Sequence, residues 1–344
     1  MGIIYNEKAR TFTLHTHNTT YQMQIDAYGF LLHLYYGRKT DGVMDYLLTY
    51  ADRGFSGNPQ DAGNDRTYSL DVLPQEFPCR LTGDFRSPVL DLVNADGSFG
   101  CDLRYQGYEI CDGKYNLKGL PAVYAAEEEA QTLIIYMKDQ VTGLQVELLY
   151  GVLPEYDVIT RSAKVINTEE DKIRLTKAQA ACIDFVHGEF DIISFYGRHA
   201  MERNMQRTSV GHGAFVIGSR RGTSSHQYNP FVMLADKNAT ETSGECYGFS
   251  FLYSGNFLAA AEKDQFDQTR LIMGIHPGNF EFLLREGEIF HAPEVMMVYS
   301  AEGFEKMSNC YHKAVREHVC RGRFKLERRP VLINNWEGTY FDFT

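Results

Sequence analysis

For about its first 300 residues the chain shows almost no helical periodicity. Apolar residues come in short runs or at every second position, interrupted by Gly, Asp, Asn and Pro. Strict alternation points successive side chains to opposite faces, the signature of a strand with one buried face. Leu144, Val146, Leu148 and Tyr150 alternate with Gln145, Glu147 and Leu149, and Ile159, Ala163 and Val165 repeat the pattern before the polar turn Asn167 to Lys172. Phe280, Phe282 and Leu284 alternate up to Glu286-Gly287-Glu288, and Val295 to Tyr299 reads as the return strand of a hairpin. Many strands without helices between them exclude a parallel α/β sheet. They imply a mainly β fold, a large antiparallel two-layer β-sandwich.

One segment breaks the pattern. From Gly303 to Arg321, Phe304, Met307, Tyr311, Ala314, Val315, His318 and Val319 fall three and four apart, which predicts an amphipathic helix stopped at Gly322. After the basic run Arg321 to Arg329, Pro330 opens Val331-Leu332-Ile333-Asn334-Asn335-Trp336. This is a short apolar stretch ending in amides and an aromatic, as an inner barrel strand ends at a ligand site. The expected division is therefore a sandwich over 1–300, a linking helix over 301–328, and a first barrel strand over 329–344.

Composition narrows the function classes. The net charge of −11, from 34 Lys plus Arg against 45 Asp plus Glu, repels phosphate backbones, so neither nucleic acid nor an anionic membrane is expected as a partner. No stretch approaches the roughly 18 apolar residues of a membrane span. Met1 to Lys8 lacks the basic start and apolar run of a secretory signal, which places the chain in the cytoplasm. The sequons at Asn18 and Asn238 then carry no meaning. Seven cysteines, odd in number and without a C-x-x-C pair, suggest buried free thiols rather than a disulfide framework or zinc site.

Three clusters bear chemistry. The segment Asp52-Arg53-Gly54-Phe55-Ser56-Gly57-Asn58-Pro59, with Asp65-Arg66 and Gly83-Asp84-Phe85-Arg86, combines Arg, Asp and Phe in a manner that suits sugar hydroxyls and ring faces. An Ω-loop closed by its own Asp–Arg pairs reads equally well. Ser225-His226 lacks a partnered acid and an oxyanion framework, so a polar loop is the better reading. His15-Thr16-His17 puts two imidazoles on one strand face without a third ligand nearby, which reads as a solvated face; no metal or other cofactor is called for.

At the C-terminus, Arg329-Pro330-Val331-Leu332-Ile333-Asn334-Asn335-Trp336-Glu337-Gly338-Thr339-Tyr340-Phe341-Asp342-Phe343 closely resembles the start of the catalytic barrel in the α-galactosidases of glycoside hydrolase family thirty-six. Matches in family order include Arg221 to Phe231, Gly83 to Arg86, Phe290 to Tyr299, and the helix with Met307-Ser308 and Tyr311-His312. Gly338 stands where the family commonly has Ala. The resemblance implies an N-terminal β-supersandwich followed by a catalytic (β/α)8 barrel and a small β domain, assembled as a homo-oligomer, usually a tetramer. It implies a retaining mechanism with an aspartate nucleophile in a K-x-D motif and an aspartate acid/base, both on later barrel strands.

No match to that motif appears here, since Lys263-Asp264 has the wrong spacing. No catalytic residue is therefore assigned, and the chain alone is expected to be inactive, ending one strand into the barrel. By resemblance Trp336 lines the sugar pocket, while Asp52, Arg53, Phe55 and Arg66 belong to a loop that a neighbouring subunit inserts near the active site. The implied partners are α-galactosides such as melibiose and raffinose, bound by the full-length enzyme, and the barrel itself. A free-standing carbohydrate-binding sandwich is the alternative, and a complete sandwich enzyme such as a sugar epimerase a third reading.

Overall fold

The structure, a computed structural model, describes residues 2–54 and 57–344. It opens with a meander of four strands, β1 (Ile3–Asn6), β2 (Thr11–His15), β3 (Thr19–Ile25) and β4 (Leu31–Arg38). After a long irregular stretch come β5 (Leu90–Val93), β6 (Leu103–Asp112), β7 (Gln131–Asp139), β8 (Gln145–Leu153), β9 (Val158–Ile166) and β10 (Ile173–Phe185). Next are β11 (Phe190–Arg198), β12 (Met201–Ser209), β13 (Gly213–Ser219), β14 (Tyr228–Asp236) and β15 (Cys246–Phe251). The last are β16 (Phe257–Lys263), β17 (Thr269–Ile275), β18 (Phe282–Leu284), β19 (Ile289–His291) and β20 (Val295–Ser300).

A ten-stranded sheet runs β12-β11-β14-β15-β20-β9-β8-β7-β6, with β19 also on β9. A six-stranded sheet runs β13-β16-β17-β10-β18, with β5 also on β10. All pairings between these strands are antiparallel, as the alternation requires. The segment Pro74 to Glu76 joins the four-stranded sheet to the six-stranded one. Its backbone pairs with β4, through His33 N–H to Pro74 O at 3.1 Å and Glu76 N–H to Leu31 O at 3.0 Å. On the other side Gln75 N–H reaches Asp184 Oδ2 on β10 at 2.9 Å. One core draws on all three sheets, among others through Phe12, Met23, Leu148, Ile159, Cys182, Leu271 and Phe249, each almost fully buried.

Two large ion clusters hold this interior. Arg161 on β9 lies 3.1 Å from Glu76, and its Nη2–H donates to Glu76 O at 3.0 Å. Tyr21 and Tyr150 also donate their hydroxyls to Glu76, and His33 Nδ1 lies 3.1 Å from its carboxylate. Burial pushes the Glu76 carboxyl up, but Arg161, His33 and Tyr21 outweigh it and hold the group below its ordinary value. A buried charge this well partnered is tolerable, and removing one partner strands the rest.

The helix α1 (Gly303–Ala314) packs on the outer face of the ten-stranded sheet. Met307, Tyr311 and Ala314 form its buried face against Met233, Met296 and Val298, and Tyr311 donates its hydroxyl to Met296 O at 3.0 Å. Gly248 on β15 makes that approach possible, because a Cβ there would meet Tyr311 Cε2 at 2.7 Å and Met307 Sδ at 2.8 Å. Burying the two side chains contributes about 1.5–3 kcal/mol each. The helix widens into a π-type turn over Val315–Val319 and ends at Cys320, two residues before the expected stop at Gly322.

The structure corrects three local expectations. The hairpin over residues 280–299 does not form: β18 pairs with β10 in one sheet, whereas β19 and β20 pair with β9 in the other. The segment crosses between layers because Leu284 and Phe290 are both drawn into the shared core. Strands β8 and β9 are not half-buried, since α1 and the segment 115–123 cover much of their outer faces, leaving Leu149 and Val158 buried. The stretch Val331–Asn335 is irregular, as expected of a first barrel strand without its neighbours. An isolated strand has no ladder to join, and Val331, Leu332 and Ile333 stay 86–94% exposed, followed by the single turn α2 (Trp336–Thr339). Finally, Cys320 is exposed and Cys111 and Cys310 are half-buried, so only four of the seven thiols are buried.

Candidate functional site

Of the residues singled out for sugar contact, Asp52, Arg53 and Arg66 lie where three connections of the sandwich meet. The first is the stretch from Asp52 to Arg66. Asp52 Oδ1 accepts the Gly54 N–H at 2.8 Å, and Arg66 reaches Asp52 at 3.3 Å and Gly54 O at 3.3 Å. Asn58 donates to Asp65 O at 2.8 Å, and Asp65 caps Thr67 through its N–H at 2.9 Å and its hydroxyl at 2.6 Å. The loop is thus closed by its own Asp–Arg pair, while both partners remain about half exposed and open to a ligand. Phe55 lies outside the described residues.

The second connection is the turn between β16 and β17. Arg53 lays its guanidinium over the Phe266 ring at 4.8 Å, tying the loop to this turn. Arg53 and Phe266 line a cavity of 330 Å³ together with Thr49, His187, Glu189 and Gln268.

The third is the turn Gly83-Asp84-Phe85-Arg86. It lies beside the first: a Cβ at Gly57 would meet Gly83 Cα at 3.7 Å and the Phe85 ring at 3.8 Å. Here the sequence reading is corrected. Asp84 and Arg86 turn inward rather than toward a sugar. Arg86 donates to Asp84, Leu70 O and Leu73 O at 2.8–3.0 Å, and Arg270 donates to Asp84 and Asp184 at 2.7 Å. Burial pushes the Asp184 carboxyl up, but Arg270 and Arg86 outweigh it and hold the group well below its ordinary value. Asp264 differs. Burial raises its carboxyl, only partly offset by the Gln268 and Phe266 amides. Phe85 alone points outward.

Asp184 and Arg270 were missed in the sequence, yet a signal was present. Each is a lone charge inside an apolar strand, in Ala-Ala-Cys-Ile-Asp-Phe and Thr-Arg-Leu-Ile-Met, where a charge survives only if paired. The other candidates stand apart. Trp336 lies in the C-terminal tail, its ring against Tyr340 and Phe341 at 5.5 and 4.9 Å. Ser225 accepts the Gln227 N–H at 3.1 Å beside an exposed His226, and the stretch is pinned by Arg221 donating to Gln227 at 2.7 Å and by Gly222 N–H donating to Asn256 at 2.6 Å. His15 Nδ1 lies 2.9 Å from Thr20 Oγ1, and His17 lies beyond the end of β2. Among the described residues no three His, Cys, Asp or Glu side chains are grouped to hold a metal, and no helix is long and apolar enough to cross a membrane.

This arrangement of antiparallel sheets, cross-layer clusters and linking helix is that of a known group of proteins. The model of the glycosyl hydrolase family 36 N-terminal domain matches residues 29–285, and the melibiase model matches residues 289–344. The chain belongs to glycosyl hydrolase family 36.

Among family 36 relatives, the bifunctional α-galactosidase/sucrose kinase AgaSK of Mediterraneibacter gnavus is 59% identical over the whole chain, which covers 37% of that protein. The α-galactosidase AgaA of Geobacillus stearothermophilus is 44% identical over the whole chain, which covers 47% of it. The solved galactosidase domain of AgaSK superposes with a TM-score of 0.97 over 99% of this chain and 48% of its own. A variant of AgaA solved in complex with raffinose superposes with a TM-score of 0.94 at 45% identity, over 97% of this chain and 46% of its own. The chain therefore spans less than half the length of these relatives. The two family models meet just ahead of β19 and β20, which are integral strands of the ten-stranded sheet.

Proposed function

We propose that this chain is the N-terminal, non-catalytic part of an α-galactosidase that hydrolyses terminal α-galactosyl residues from oligosaccharides of the melibiose and raffinose type. Residues 1–300 act as the supersandwich, 301–328 as the linking helix, and 329–344 as the first stretch of a catalytic barrel. The observation that carries the reading is the match of the whole chain to less than half of proteins named α-galactosidases, with the melibiase model taking over at residue 289. Retaining glycoside hydrolysis needs two carboxyl groups about 5–5.5 Å apart, one as nucleophile and one as acid/base. On this reading both come from later barrel strands, so the chain by itself does not turn over glycosides.

Its contribution is assembly and shaping of the sugar pocket in a cytoplasmic homo-oligomer. Trp336 supplies an aromatic wall, and Asp52, Arg53, Phe55 and Arg66 reach the pocket of a neighbouring subunit. The exposed, adaptable Asp52–Arg66 pair and the apolar tail Val331 to Phe343 support this, because both are surfaces that a folded partner would complete. A free-standing binding module gives no reason for a stretch matching melibiase.

The test is an assay with a chromogenic α-galactoside, run on the purified 344-residue chain beside the galactosidase domain of AgaSK. Turnover is expected only from the latter. Turnover by this chain that survives repurification would mean its own carboxylates do the chemistry, and would overturn the proposal.

A further inference from the structure

Phe85 is 77% exposed on a turn whose two neighbours are almost fully buried. Asp84 and Arg86 are fixed in the ion cluster beneath it, so the ring is presented on a rigid mount rather than on a flexible loop. It stands beside an open depression of 650 Å³, a volume that suits a small ligand.

The wall of that depression is polar. Asp71, Glu262, His212, Gln265 and Lys263 line it together with Arg86 and Asp264, and Lys263 Nζ is held by Glu189 at 3.1 Å and Asp267 at 3.2 Å. Gln265 donates to Asp71 at 3.1 Å and Ser87 N–H donates to Glu262 Oε2 at 2.9 Å, leaving further lone pairs of both carboxylates open. Asp264 is 6% exposed; its Oδ1 accepts the Phe266 and Gln268 N–H groups at 2.8 and 2.9 Å, while its Oδ2 has no hydrogen-bond partner and the nearest guanidinium nitrogen, of Arg86, lies 3.9 Å away.

Such a constellation selects its ligand class. Its cations Lys263 and Arg86 are already paired with carboxylates, and Asp71, Glu262 and Asp264 stand beside them, which disfavours phosphate, sulfate and other anions. It is too polar for an apolar peptide or lipid. An aromatic face beside several acceptors and an amide suits a pyranose, which stacks a C–H face on the ring and donates its hydroxyls around the edge. A galactosyl unit fits best, because its axial 4-hydroxyl leaves the C–H groups of carbons 3, 4 and 5 together on one face. We propose that this depression is a non-catalytic galactosyl-binding subsite with Phe85 as its platform. The choice of galactose over other pyranoses rests on the α-galactosidase reading, whereas the site itself does not.

The experiment is saturation-transfer NMR on the 344-residue chain with melibiose, and with cellobiose as a β-glucosyl control. Saturation is expected on the galactosyl H3, H4 and H5 protons and not on cellobiose. Phe85→Ala should weaken melibiose binding about tenfold, the loss of one stacking contact, while Phe85→Trp should restore it and add a tryptophan emission that melibiose quenches. Melting temperatures of both variants establish that they are folded. Equal melibiose signals from the wild type and Phe85→Ala, no saturation at all, or a change in oligomer mass in Phe85→Ala with unchanged sugar binding would each overturn the subsite. Saturation of cellobiose as strong as that of melibiose would overturn its galactosyl assignment. None of these results touches the turnover assay, so the two proposals fail separately.

Discussion

Two sets of Asp and Arg residues lie at the same end of the molecule and behave as opposites. Asp52 and Arg66 meet at 3.3 Å with both side chains more than half exposed, and each remains free to exchange its partner for a ligand or for water. Asp84, Arg86, Asp184 and Arg270 meet at 2.7–3.5 Å with side chains no more than 4% exposed. Water has been removed from the second set, so no charge there can be abandoned cheaply. The residue types are the same; burial decides that one set stays open to a partner and the other clamps the loop Leu70–Arg86 onto β10 and β17.

The sharpest way to break that contrast is Arg270→Met. It leaves Asp84 and Asp184 with Arg86 as their one remaining shared cation, and is expected to cost about 3–5 kcal/mol, read as a fall in the urea midpoint at unchanged slope. A loss under about 1 kcal/mol would show that the cluster is wet and that Asp84 and Asp184 are solvated, and the contrast would collapse.

Acid probes the same clusters with a smaller effect. The carboxyls of Glu76 and Asp184 are held below their ordinary values in the folded chain. A depressed carboxyl contributes stability that is present above its unfolded value, near 4, and is lost as pH falls toward its folded value. The melting temperature should therefore stay nearly flat from pH 7 to about 5 and fall below about pH 4. Asp264, raised by burial, gains from protonation and blunts the fall. A decline already under way between pH 7 and 6 would assign the acid sensitivity instead to histidines that burial holds below their ordinary value, such as His276 and His291.

Much of the fold was legible because alternation is a local property. Gln145 to Leu153 and Val158 to Ile166 advertise strands, and Met307, Tyr311 and Ala314 advertise the buried stripe of a helix. Which sheet a strand joins is not local: Phe282 and Val295 belong to different layers because Phe282 pairs with Leu175 and Val295 with Arg161, about 107 and 134 residues away in sequence, distances no turn signal encodes. The site was legible as composition only. Asp52, Arg53 and Arg66 do gather, but nothing in Gly83-Asp84-Phe85-Arg86 says that the charges face in and the ring faces out. That depends on Asp184 and Arg270, about 100 and 185 residues downstream. Trp336 and Val331 to Ile333 carry the residue pattern of a barrel strand without the neighbours that would make it one.

The smallest expected effect sharpens the comparison from its exposed side. Arg66→Ala removes the cation that closes the loop on Asp52 and Gly54. Because both partners of the ion pair keep their water, the substitution should change the urea midpoint by an amount equivalent to less than about 1 kcal/mol, and 0.5 M salt should erase even that difference. Its effect should instead be local: faster amide exchange or protease cleavage between Asp52 and Arg66, with the exchange of β10 and β17 unaltered. If the same substitution lowered global stability as much as Arg270→Met, the loop would be part of the structural clamp rather than a surface kept free for a partner. Asp52, Arg53 and Arg66 would then have to be withdrawn as pocket-shaping residues, since a loop that the core depends on cannot be released to fit against another subunit.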